Sequence, residues 1–198
     1  MYSHYNISML YIGCPVWSFK GWVGNFYPKG TKPADFLREY AKRLTNIEGN
    51  TTFYTVPSQK TLEGWVAETP DTFRFCPKIP KAVSHEGRLA DNIDRALGFV
   101  DVMQGLGTRL GPMFLQLPPR FSPSLLADLQ AFLSAWPSDV RLAVEVRHLD
   151  WFEPLVRTAE RAGVGLAMEN IPDYSGQPRS LRRMYGATPA ELIELVDA

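Results

Sequence analysis

Strand-like and helix-like apolar patterns alternate along this chain from residue 7 to residue 168, and that alternation limits the fold more than any other feature. Strands separated by helices run parallel and carry the helices on their faces. The strand patterns are Ile7 to Gly13, Asn46 to Asn50, Phe73 to Ile79, Gly111 to Leu117, Val140 to Val146 and Val164 to Met168. Helix patterns fill the gaps. Pro33 to Leu44, with Thr31 as its expected cap, carries Phe36, Leu37, Tyr40, Ala41 and Leu44 on one stripe. A helix capped by Ser58 carries Leu62, Trp65 and Val66. Asp91 to Leu106 puts Ile93, Leu97, Val100 and Met103 inward. Pro123 to Trp136 opens on a proline, Phe152 to Ala162 ends at Gly163, and Pro189 to Val196 follows a Thr188/Glu191 capping box.

A closed barrel and an open doubly wound sheet both satisfy this alternation. The polar residues favour the barrel. Glu48 and Asn50 share one phase of their strand, and so do Arg74, Cys76 and Lys78 on the next. Gln116 is in phase with Phe114, Glu145 and Arg147 with Ala143, and Glu169 with Ala167. Successive strands thus end in polar residues on one common face, while the opposite phase is bulky and apolar. A barrel whose site lies at the C-terminal mouth places all of them together, whereas an open sheet converges on one switch point. Six βα units are legible against the eight of a closed barrel, and residues 170–198 add no strand pattern. The expectation is an incomplete (β/α) barrel, through truncation, a frame change near Ile171 or a genuine short variant. An unclosed sheet exposes two edges, so self-association through the open edge is expected.

Composition excludes several classes of function. With 198 residues the chain suits one domain. Lys+Arg and Asp+Glu are both 21, so no global basic field supports binding to nucleic acid or an anionic membrane. The two cysteines, Cys14 and Cys76, are too few for a disulfide framework and are not spaced as a metal knuckle. No leader pattern and no membrane-length apolar run is evident, and the expected location is cytoplasmic.

The candidate chemistry lies after the strands. The loop Trp17 to Tyr27 holds five aromatics in eleven positions, with Trp17 and Trp22 either walls for a flat ligand or a plug over the barrel mouth. Glu48 in a buried strand is either an acid/base carboxylate or one half of an ion pair with Arg74 or Arg147, and Asn50 and Tyr54 follow it. Lys78 suits a Schiff base, an anion contact or a salt bridge to Glu48. His85 lies in a long loop as an acid/base or an ordinary loop residue, and Gln116 brings an amide to the mouth. The run Glu145-Val146-Arg147-His148-Leu149-Asp150-Trp151 is the densest cluster. Glu48 and Glu145 facing each other would suit acid/base work, glycoside chemistry or metal binding, while Glu145 with Arg147 could equally be a structural pair. The metal signal is weak, since no His-rich spacing is present, and no cofactor is evident.

Several of these segments together resemble a known family. Ile12-Gly13-Cys14-Pro15-Val16-Trp17-Ser18-Phe19 with Trp22 and Phe26-Tyr27-Pro28 is similar to the opening of the YecE-like family, domain of unknown function 72. So are Glu48-Gly49-Asn50-Thr51-Thr52-Phe53-Tyr54, Phe73-Arg74-Phe75-Cys76-Pro77-Lys78 and Ser84-His85-Glu86. Leu110-Gly111-Pro112 with Gln116-Leu117-Pro118-Pro119, and Glu145-Val146-Arg147-His148 with Trp151, complete the set. The resemblance implies a TIM-type barrel and no settled activity. Cys14-Pro15-Val16 departs from the small residues usual there, and a C-terminal segment with aromatic and Asn residues is not evident.

Two functional readings follow. The first is an enzyme using acid/base carboxylates on a small polar or ring-containing ligand, with phosphodiester or sugar-type substrates both open. Glu48, Lys78, Glu145, Arg147 and His148 would act, and Trp17, Trp22, Asn50, Tyr54, His85, Gln116 and Trp151 would bind. The second is a non-catalytic protein that holds a metabolite or partner.

Overall fold

Among the residues that the computed structural model describes, 11–151 and 165–167, the alternating pattern becomes six short strands, all paired in parallel. β1 (Gly13–Cys14), β2 (Asn46–Gly49) and β3 (Arg74–Pro77) form one sheet in that order. β4 (Met113–Gln116), β5 (Leu142–Glu145) and β6 (Gly165–Ala167) form a second. Parallel bridges from Phe75 to Leu110 and from Lys78 to Phe114 connect the two. At that junction the Gly111 N–H donates to the Phe75 carbonyl at 2.7 Å, and the Ile79 N–H to the Phe114 carbonyl at 2.8 Å. The chain is therefore a mixed α/β protein with parallel sheets in sequence order. Among the described residues β1 and β6 are not paired with each other.

The connections are helical, as the apolar stripes require. α1 (Phe36–Ala41) buries Phe36, Leu37 and Tyr40. α2 (Gln59–Ala67) starts at Ser58, whose Oγ accepts from the Thr61 N–H, a capping bond that typically contributes about 1 kcal/mol. A four-residue turn, α3 (Lys81–Ser84), follows β3 and has no counterpart in the sequence reading. α4 (Ile93–Met103) buries Ala96, Phe99, Val100 and Met103, with Ile93 half-buried against the same core, so the stripe is widened from the expected one by Ala96 and Phe99. α5 (Leu126–Ala135) buries Leu129 and Phe132. Thr31 does not cap α1; its hydroxyl donates to the Pro28 carbonyl at 2.7 Å and closes a turn instead. The helix patterns at 152–162 and 189–196 lie outside the described residues.

The two faces of the strands differ in chemistry. Register places Ile47 beside Phe75, and Met113 and Leu115 beside Leu142 and Val144. These six side chains belong to one large core with the helices. The alternate residues pair Glu48 with Cys76, Lys78 with Phe114, Phe114 with Ala143 and Gln116 with Glu145. Phe114 and Ala143 form a small cluster of their own on that side. Polar ends above a thin apolar floor thus occupy one face, and the helix-covered core the other.

Tyr40 ties α1 to the strand layer. Its hydroxyl accepts from the Cys14 N–H at 2.6 Å and donates to the Asn46 carbonyl at 2.9 Å. Burial holds its phenol well above the ordinary range, so it stays a donor. Close backbone approach matters as well. A Cβ on Gly111 would sit 2.9 Å from both the Cys76 Sγ and the Phe75 carbonyl oxygen. Gly111→Ala should therefore lower stability in urea unfolding by about 1–3 kcal/mol through overpacking. Gly64→Ala, in α2 with nothing within 4 Å of the new methyl, should instead raise it by about 0.5–1 kcal/mol.

Candidate functional site

A chain of polar side chains crosses the C-terminal ends of β3, β4 and β5. The Lys78 ammonium donates to Gln116 Oε1 at 2.9 Å, and Gln116 Nε2 donates to Glu145 Oε1 at 2.7 Å. Arg147 Nε lies 3.6 Å from the same carboxylate oxygen. Lysine has only donors, so the amide must turn its oxygen to Lys78 and its nitrogen to Glu145. Glu145 is 0% exposed, Gln116 is buried, and Arg147 remains 42% exposed at its side chain. The sequence reading brought these four residues to one face through strand phase alone, and the structure joins them through side-chain contacts.

Lys78 is further framed by two aromatic faces. Its Nζ lies 4.8 Å from the Phe53 ring centroid and 5.5 Å from that of Phe114. A ring face attracts a cation placed over it. Neither Phe53 nor Phe114 was among the sequence candidates. The signal was present in Thr52-Phe53-Tyr54, where the buried Thr52 hydroxyl bonds the Gly49 and Lys78 carbonyls and fixes the loop that presents Phe53. Glu48 is buried in β2 on the same face as Cys76. Burial pushes the Cys76 thiol up to about 12, so it is not a thiolate nucleophile.

His85 reaches this neighbourhood from the loop after α3. Its ring packs edge-on to Phe53 at 5.1 Å, and the Arg120 guanidinium donates to its backbone carbonyl. Ser84 Oγ lies 2.7 Å from His85 Nδ1 and 3.3 Å from the Pro80 carbonyl oxygen. A carbonyl only accepts, so both contacts are met when Ser84 donates to Pro80 and His85 Nδ1–H donates to Ser84. Buried side chains hold the loop. Asn92 Nδ2 donates to the carbonyls of Val83, Glu86 and Arg88, and Asp128 accepts from the Leu89 and Ala90 N–H groups at 2.9 and 3.1 Å. Arg120 and these holding residues were not sequence candidates, because neither a turn residue nor a polar residue on a helix shows in sequence which distant loop it clasps.

The remaining candidates make other contacts; Tyr54 packs edge-on to Phe53 at 5.0 Å. Trp17 packs edge-on to Trp65 of α2, and Trp65 stacks on Phe75, within the helix-side core. Trp22 contacts Phe26, Tyr27 and Tyr40. The aromatic loop therefore packs against α1 and α2, where large rings gain most from burial, rather than beside Lys78 and Glu145. Tyr27, pushed up to about 12 by burial, donates its hydroxyl to the Trp17 carbonyl. Trp151 is fully buried, stacked on Phe121 with its indole N–H on the Phe121 carbonyl. His148 Nδ1 accepts from the Asp150 N–H at 3.3 Å and lies 3.8 Å from the Asp150 carboxylate. Asn50 Nδ2 reaches the Pro15 carbonyl at 3.5 Å, and Tyr54 is 80% exposed. Among the described residues no group of three or more His, Cys, Asp or Glu gathers to hold a metal ion. Nor is any described helix long and apolar enough to cross a membrane.

The family model for the protein of unknown function DUF72 matches residues 11–187, a span that contains every site candidate. This chain belongs to the DUF72 family. It is 35% identical over 179 residues to the UPF0759 protein YecE of Escherichia coli, covering 87% of this chain and 63% of that protein. It is 28% identical over 156 residues to the UPF0759 protein YunF of Bacillus subtilis, covering 74% of this chain and 53% of that protein. The chain thus spans less than two thirds of the length of these relatives. Crystal structures of DUF72 proteins share the fold. One from Thermotoga maritima matches with TM-score 0.70 at 24% identity, over 91% of this chain and 72% of that one. One from Enterococcus faecalis matches with TM-score 0.69 at 20% identity, over 90% and 67%.

His85 generates a pH prediction. Partial burial and the nearby cations Arg120, Lys78, Lys81 and Arg147 hold its pKa below the ordinary 6.5. The unfolded chain then binds the His85 proton more readily than the folded one. Stability should fall as pH drops below about 6.5, and level off once pH passes the folded value. His85→Gln should remove that part of the slope in thermal unfolding measured between pH 5 and 8, which are about the limits of histidine titration.

Proposed function

We propose that this chain is an acid/base enzyme of TIM-type (β/α)-barrel architecture, acting on a small polar or ring-containing ligand at the C-terminal ends of its strands. The barrel reading draws support from parallel strands in chain order, bridged from β3 to β4, with helices against one face. In such a barrel the other face is the interior, and the strand ends are its mouth. Self-association through an open edge belongs to the same proposal.

One observation carries the catalytic reading. Glu145 is fully buried at a strand end, yet it is held between a donating amide and a guanidinium. A buried ion pair is a poor way to gain stability, since apolar residues of like volume often do as well or better. Keeping a carboxylate there suits a group that must present an acceptor in a fixed geometry. Glu145 takes the role of general base, and Glu48 that of the second carboxylate. Lys78 and Arg147 provide positive charge for an anion or an oxyanion that develops during reaction. A cation framed by two ring faces and donating to an amide is suited to electrostatic work rather than to Schiff-base formation.

The test starts from ligand that co-purifies with the full chain, identified by mass spectrometry and then supplied as substrate. Glu145→Gln should lower kcat by about 100- to 10,000-fold while the circular dichroism spectrum stays unchanged. Turnover unaffected by that substitution, in a folded protein, would remove Glu145 from the chemistry.

A further inference from the structure

We infer that this site receives an anionic group of its ligand, a carboxylate or a tetrahedral oxyanion, among Lys78, Arg120 and Arg147 with His85 beside it. The inference rests on the reading of the strand ends as the ligand site, and it names the class of ligand that reading leaves open.

Lys78 follows β3, His85 lies in the loop after α3, Arg120 follows β4 and Arg147 follows β5. Four different segments therefore bring basic groups to one place. Contacts tie them together. Lys78 and His85 flank the same Phe53 ring, at 4.8 and 5.1 Å from its centroid. Arg120 is fastened to the His85 carbonyl, and Arg147 to the Glu145 carboxylate that Gln116 links to Lys78. Arg120 is exposed, and the Arg147 side chain keeps 42% of its surface exposed alongside its Glu145 contact.

Like charges gathered in this way repel one another, and a protein tolerates such a cluster most readily where an anion is to sit. Guanidinium forks match the planar geometry of a carboxylate and the oxygens of a phosphoryl group. His85 records the imbalance. The charges acting on it are Arg120, Lys78, Lys81 at the start of α3, and Arg147, while Glu86 is its neighbour in sequence. With Nδ1–H donated to Ser84, a further proton goes to Nε2 and makes the ring a cation. A bound anion reverses the local field and favours that proton.

Sulfate is the first probe, because its charge does not change across the titration of histidine, and malonate is the carboxylate arm. Each is titrated into the full chain at constant ionic strength against sodium chloride. The signal is the His85 ring proton resonance, assigned with His85→Gln. Saturable binding is expected, with the His85 midpoint rising by about one pH unit or more. Arg120→Gln, at an exposed position, and Lys78→Gln should each weaken that binding at least about tenfold, the effect of losing one charge-assisted contact. The tighter arm names the class of anion.

No saturable effect beyond that of chloride would overturn the inference. So would binding that both substitutions leave unchanged. Glu145→Gln separates this from the acid/base reading: it should abolish turnover yet keep or tighten sulfate binding, since it removes a negative charge. Sulfate binding with turnover intact in Glu145→Gln would defeat the acid/base reading alone, and lost turnover without sulfate binding would defeat the anion site alone.

Discussion

A carboxylate with no solvent exposure must receive its donors from the chain around it, and the Glu145 carboxylate sets that demand here. Removing a charge from water costs several kcal/mol unless fixed partners replace the solvent. Among the described residues Gln116 and Arg147 are two of those partners, and the Lys78 contact on the Gln116 oxygen orients its amide nitrogen toward Glu145. Each member of the series thus specifies the orientation of the next. The three strand ends β3, β4 and β5 are held in register by side chains as well as by their backbone pairing.

The apolar layer makes that arrangement possible. Ile47, Phe75, Met113, Leu115, Leu142 and Val144 bury against the helices, at roughly 1.5–3 kcal/mol for each large side chain. That burial fixes the phase of every strand. Once the phase is fixed, a one-residue slip would move Lys78, Gln116 and Glu145 into the helix-packed core. The polar face is therefore a consequence of the apolar one, and the cost of charged strand ends is carried by the helix side.

Alternating periods were sufficient to read parallel strands, and strand phase was sufficient to join Lys78, Gln116, Glu145 and Arg147. Both follow from local geometry, which a sequence carries directly. The aromatic residues were harder to place. Trp17, Trp22 and Trp151 would have the same sequence signature in a ligand wall as in a core, and their contacts with Trp65, Tyr40 and Phe121 join segments far apart in the chain. Arg120, Phe53 and Asp128 were overlooked for a related reason. Their importance arises from contacts across 35, 25 and 39 residues of chain, to His85, Lys78 and Leu89. Thr31 has a cap's identity but spends its hydroxyl on the Pro28 turn, so capping by residue type alone misplaced it.

The central claim is that Lys78, Gln116 and Glu145 act as one electrostatic unit. A double-mutant cycle in urea unfolding, with Lys78→Met, Glu145→Gln and the two combined, tests it most directly. Lys78 and Glu145 are linked through Gln116, so the account predicts a coupling energy of about 0.5–3 kcal/mol. Single-substitution effects that add to within about 0.3 kcal/mol would mean the two charges are independent, and would contradict it.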